Sequence, residues 1–102
     1  MNLQDKFHNE LINVYKRAKK EAGYNASRFL QMISSSGGGY EAAKKLIIQE
    51  GGSEGFTNLW ELHRLDLTVE AVVIKSEYAS LFSAEEIMIC KKRLINYGYE
   101  VE

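Results

Sequence analysis

A chain of 102 residues has room for one domain, and 45% hydrophobic with 26% charged residues is globular composition, which argues against a disordered tail. Thirteen basic against fourteen acidic side chains leave a formal charge of −1, so no global field draws the chain to nucleic acid or membrane. Zero prolines and a single cysteine exclude collagen-like chains, proline-rich linkers and disulfide scaffolds.

Leu3, Phe7, Leu11, Val14, Tyr15, Ala18 and Ala22 recur at steps of three and four, the apolar stripe of an amphipathic helix. The spacing predicts a helix over 3–22, closed by Gly23 in a left-handed conformation. Lys16, Arg17, Lys19 and Lys20 fall roughly opposite the stripe. Asn25 then offers an N-cap oxygen to a second, shorter helix traced by Ala26, Phe29, Leu30 and Ile33. That helix is expected to dissolve into a six-residue loop, Ser34 to Gly39, whose three consecutive glycines suggest mobility and order gained only on binding.

Tyr40, Ala43, Leu46 and Ile47 mark a third helix ended by Gly51-Gly52, and Ser53 caps a fourth in which Phe56, Leu59, Trp60 and His63 share a face. Asp66 or Thr68 opens a fifth. Val69, Val72, Val73 and Ile74 are β-branched and favour strand, but the chain has no second strand for them to pair with, and helix is preferred on that ground. Ser83-Ala84-Glu85-Glu86 is a capping box, followed by the stripe Ile87, Cys90, Leu94 and Tyr97 and a stop at Gly98. No repeat period is visible. The charges are polarised along the chain: residues 1–50 carry eight basic and five acidic side chains, residues 51–102 five and nine.

Little here points to chemistry. His8, His63 and Cys90 are the only histidines and cysteine, with no HExxH, no CxxC and no histidine pair at helical spacing, so no metal is expected. His63 is expected beside Trp60 in the fourth helix. Cys90 lies on a core stripe, where burial makes a thiol inert, and no G-x-S-x-G elbow offers a serine nucleophile. Gly37-Gly38-Gly39 ahead of a helix invites a phosphate, but the P-loop spacing is missing, and a connector is the simpler reading. An enzyme is therefore not expected, nor a cofactor.

Two surfaces remain. The stretch from Phe56 to Glu70 holds the only tryptophan, and Trp60, Glu61 and Arg64 form a candidate partner surface, since Trp and Arg are enriched at binding hot spots. The competing reading buries Trp60 and has Arg64 tie the helix junction through Asp66 or Glu70. Lys16, Arg17, Lys19 and Lys20, joined by Arg28, Lys44 and Lys45, form a candidate nucleic-acid face, against which stand the net charge and the ordinary solvation of an outer helix face.

Gly23 through Met32, Ala42 through Leu46, Phe56 through Glu70, and Tyr78, Leu81-Phe82, Arg93-Leu94 and Tyr97-Gly98-Tyr99 together carry a resemblance. Over nearly its whole length the chain resembles small bacterial helical domains of unassigned function. These occur alone or attached to larger proteins, and some are linked with restriction or phage defence. The resemblance implies an all-helical accessory domain and carries no catalytic signature.

The expectation is an all-α single domain over 1–102, a bundle of about six short helices. Phe7, Leu11, Phe29, Leu30, Leu46, Leu59, Trp60, Leu62, Val72, Leu81, Phe82, Ile87 and Leu94 should be mostly buried. With no apolar run near about 18 residues and a polar start from Met1 to Lys6, a cytoplasmic, non-membrane protein is the default. The expected function is a non-catalytic interaction module that docks on or modulates a larger protein. The alternative is a nucleic-acid-binding accessory protein that uses the basic face. Oligomeric state is left open.

Overall fold

The computed structural model describes residues 2–25, 27–49 and 54–100. Among these it has six α-helices and no strand: α1 (Leu3–Ala22), α2 (Ser27–Ser36), α3 (Gly39–Ile48), α4 (Glu54–Glu61), α5 (Val69–Val73) and α6 (Ala84–Asn96). Two 3-10 segments, Leu65–Leu67 and Ser76–Leu81, precede α5 and α6. The fold is all-α. Its radius of gyration, 12.4 Å, is that of one compact domain of this length.

The local signals act as expected in most places. The Asn2 side chain accepts from the Asp5 amide to open α1, and Gly23 closes it at φ 67°. Thr68 caps α5, its hydroxyl accepting from the Ala71 amide at 3.2 Å, so the β-branched run Val69–Val73 is helical. Ser83 and Glu86 form the full capping box of α6. Gly98, at φ 89°, ends that helix as the Tyr99 amide donates to the Leu94 carbonyl at 2.9 Å. The proposed Ser53 cap and the Gly51-Gly52 stop lie outside the described residues, as does Ala26.

The glycine-rich stretch differs from expectation. α2 runs on through Ser36, and α3 begins at Gly39, so the connection is only Gly37-Gly38. Both have positive φ, 93° and 142°, a turn that side-chain-bearing residues rarely make. Gly39 is buried against α1: a Cβ there would lie 3.0 Å from His8 Cα and 3.2 Å from Leu11 Cδ1. Its amide donates to His8 Nδ1 at 2.8 Å, and the Gly38 amide donates to the Ile33 carbonyl at 2.9 Å. The positive-φ turn accounts for Gly37 and Gly38, and the close approach of α3 to α1 accounts for Gly39.

α1 lies across the core. Fully buried Phe7 meets Tyr78 edge-on at 5.1 Å between centroids and Phe82 at 5.3 Å, and the Tyr78 hydroxyl donates to Glu10 Oε1 at 2.6 Å. Leu11, Val14, Ala18, Ala43, Ile47, Leu59, Leu67, Val72, Val73 and Cys90 belong to the same cluster, while Phe56, Leu65 and Leu94 form a smaller one. Most of the expected core residues are in place, with Phe29, Leu30, Leu81 and Ile87 only partly buried. Two are not: Trp60 is 42% exposed and Leu62 43%. α4 ends one residue after Trp60, so the helical face projected through His63 does not exist.

Candidate functional site

The junction after α4 is built by its ending. The Arg64 amide donates to the Leu59 carbonyl at 2.8 Å and the His63 amide to the Trp60 carbonyl at 3.0 Å, the paired closure in which a left-handed residue normally follows the helix. That residue is His63, at φ 60°, the one non-glycine with positive φ among the described residues. His63 is therefore exposed and outside the helix, which corrects its expected place on the α4 face.

The same closure aims Arg64 back at α1. Its Nε and Nη2 donate to the two oxygens of Asp66 at 3.0 and 3.1 Å, and Nη2 also reaches Glu21 Oε1 at 2.8 Å. Arg17 Nε donates to the other Glu21 oxygen at 2.9 Å and approaches Asp66 at 4.0 Å. Two guanidinium and two carboxylate groups thus alternate around a closed ring that ties the end of α1 to the α4–α5 junction. Hydrogen bonds from Arg17 and then Arg64 pull the Glu21 carboxyl down to about 2, and the bond from Arg64 lowers Asp66 as well. Arg64 makes the junction contact expected of it through Asp66. Glu70 has another partner.

Trp60 stands beside this ring. Phe56, Tyr97 and Trp60 form a ladder of edge-to-face contacts, 5.0 and 5.1 Å between centroids, that leads from the small core to the surface. Trp60, His63, Asp66 and Tyr97 line a shallow hollow of about 220 Å³. Glu61 and Leu62 are exposed on the same helix end. Of the three candidate residues, Trp60 and Glu61 are exposed at the end of α4, and Arg64 is partly buried and engaged in its ring.

The basic face does not hold together as a unit. Arg17 belongs to the ring. Lys44 pairs with Glu86 of α6 at 2.7 Å and lies 5.8 Å from the Tyr40 ring centroid. Arg28 is exposed on α2, at the rim of a larger cleft. Lys16, Lys19 and Lys20 on α1 and Lys45 on α3 are exposed and form no ion pair among the described residues. Lys19 and Lys20 occupy the last turn of α1, where positive charge favours the exposed carbonyl ends.

Arg93 has a role that no local pattern announces. From α6 it donates to the Leu46 and Ile47 carbonyls at 3.1 and 2.8 Å and to the Gln49 carbonyl, closing the end of α3. It also pairs with the Glu70 carboxylate at 3.2 Å, a side chain only 4% exposed whose burial pushes its pKa up. Arginine in a helix after a capping box is ordinary on its own, and only the approach of α3 and α5 gives it these partners. Cys90 is fully buried, and desolvation raises its thiol to about 12, so it packs rather than reacts. Among the described residues, no three His, Cys, Asp or Glu side chains gather as metal ligands, and no helix is long and apolar enough to cross a membrane.

No protein-family model matches the chain, and neither a curated protein nor a solved structure does so.

Proposed function

We propose that the chain is a non-catalytic helical interaction module that docks on or modulates a larger protein through Trp60, Glu61 and the Arg64 junction. The observation that carries this reading is the 42% exposure of Trp60, held against Tyr97 on a helix end pinned by the Arg17–Glu21–Arg64–Asp66 ring. A large side chain already packed against a neighbouring ring in the free protein has less conformational freedom to lose on binding, which makes it an efficient contact residue. Exposed Leu62 extends the apolar area beside it. An accessory role is also what the resemblance to small bacterial helical domains implies.

Native pull-down with mass spectrometry, wild type against Trp60→Ala, tests this. The expected result is a larger protein captured by wild type and lost with the variant, whose circular dichroism stays unchanged. Equal capture by both, or only free chain in both, overturns the assignment of this surface.

A second reading draws on Lys16, Lys19 and Lys20, three exposed neighbouring lysines with no internal ion pair among the described residues. Nucleic-acid binding through them would weaken with salt, the log–log slope growing by about 0.9 for each phosphate contacted. A gel shift at low salt compares wild type with the triple Lys→Glu variant. Identical behaviour rejects this alternative.

A further inference from the structure

A cleft of about 470 Å³ opens between α1, α2, the end of α3, α4 and the start of α5, within the roughly 300–1,000 Å³ of small-molecule sites. Its lining is mainly apolar among the described residues. Buried Val14, Ala18, Leu46, Leu59 and Leu67 face it, with the Phe29 ring and the Met32 thioether beside them. Ring and thioether walls suit a flat ligand.

One edge of the cleft is polar. The Tyr15 hydroxyl donates to Asn25 Oδ1 at 3.1 Å, and Asn58 Nδ2 donates to the Tyr24 oxygen at 3.4 Å. Among the described residues, the Tyr24 hydroxyl proton and the Asn25 amide protons have no acceptor and Asn58 Oδ1 has no donor, so they can serve a ligand. Donors and an acceptor on one edge complement an amide, which offers both. The two ionic groups on the lining are otherwise accommodated: Glu70 is paired with Arg93, and Arg28 is exposed at the rim. A charged ligand would therefore lose hydration without gaining a buried counter-charge.

We propose that this cleft binds a small, planar, uncharged molecule with an amide-type edge, such as an aryl amide or a lactam. The site is separate from the Trp60 surface and does not rest on the docking reading.

The test follows amide shifts of ¹⁵N-labelled protein during titration with benzamide, benzoate and benzylammonium, which share a ring and differ in charge. Benzamide should shift Met32, Asn58 and Thr68 saturably, with a Kd of roughly 1–10 mM for so small a probe. Benzoate and benzylammonium should bind at least about tenfold more weakly. Asn58→Leu should weaken benzamide about tenfold, Met32→Trp should fill the cleft and abolish binding, and Trp60→Ala should leave it unchanged. No saturable shift with benzamide, or equal binding of benzoate, overturns the proposal. Should a variant lose its dispersed spectrum, the three-probe comparison on the wild type decides alone.

Discussion

Replacing Gly39 by alanine adds one methyl group at the tightest contact between α1 and α3. The new Cβ would sit 3.0 Å from the His8 Cα, a backbone atom that cannot swing aside, and 3.2 Å from both His8 Nδ1 and Leu11 Cδ1. α3 must therefore move off α1 by a few tenths of an ångström, which strains the buried packing at a cost of about 1–3 kcal/mol. The same shift lengthens the 2.8 Å bond from the Gly39 amide to His8 Nδ1, costing about 1 kcal/mol more. Against this, alanine gains at most about 1 kcal/mol in helix propensity, and less at a first helical position. The net expectation is a loss of about 1–3 kcal/mol, which for a domain of this size lowers Tm by about 5–20 °C. Urea denaturation followed by far-UV circular dichroism measures it, with an unchanged m value showing that the unfolding reaction is the same. Gly23→Ala is the comparison: Gly23 has φ 67° but nothing within 4 Å, so it carries only the left-handed penalty of about 1–2 kcal/mol. Unchanged or increased stability of Gly39→Ala would refute the close-approach argument. Fast hydrogen exchange at the Gly39 amide of the wild type would refute it independently, since that amide is bonded and buried.

Arg93→Ala removes three carbonyl contacts at the end of α3 and leaves Glu70 buried without its counter-charge, so a loss of about 3–5 kcal/mol is expected by urea denaturation. The double variant Arg93→Met with Glu70→Met should recover much of it, and a double variant no more stable than Arg93→Ala would contradict the pairing. The depressed Glu21 carboxyl favours the folded state fully above its ordinary value of 4.5, and this contribution is lost as pH falls towards about 2. Arg64→Ala should move the Glu21 titration midpoint, followed by carboxyl NMR, upward from about 2 towards 4.5, and an unmoved midpoint would show that Arg17 alone sets it. His63→Gly should stabilise the fold by about 1 kcal/mol in thermal unfolding, because glycine adopts φ 60° without penalty, whereas a loss would mean that the imidazole contributes more than its backbone costs.

The features readable from the sequence are those settled within three or four residues. The Thr68 cap and the Ser83–Glu86 capping box follow from side chains that reach their own helix end, the stops at Gly23 and Gly98 from the left-handed backbone that glycine adopts freely, and the apolar stripe names Phe7 and Leu11 whatever packs against them. The helical state of Val69–Val73 followed from the lack of a pairing strand, even though its residues favour strand. Tertiary structure decided what depends on distant approach. Trp60 has the composition of a core residue, but α4 ends at Glu61 and leaves its ring half in solvent. The polar edge of the large cleft joins Tyr15, Tyr24, Asn25 and Asn58 from three segments, and neither the apolar stripe that holds Tyr15 nor the capping pattern that singled out Asn25 announces that meeting. Gly39 meets a histidine 31 positions away, and Arg93 serves carbonyls 44 to 47 positions away. Helical periodicity tells which side of a helix turns inward, but not which helix it meets or at what height, and those contacts arise only once the packing of the helices is set.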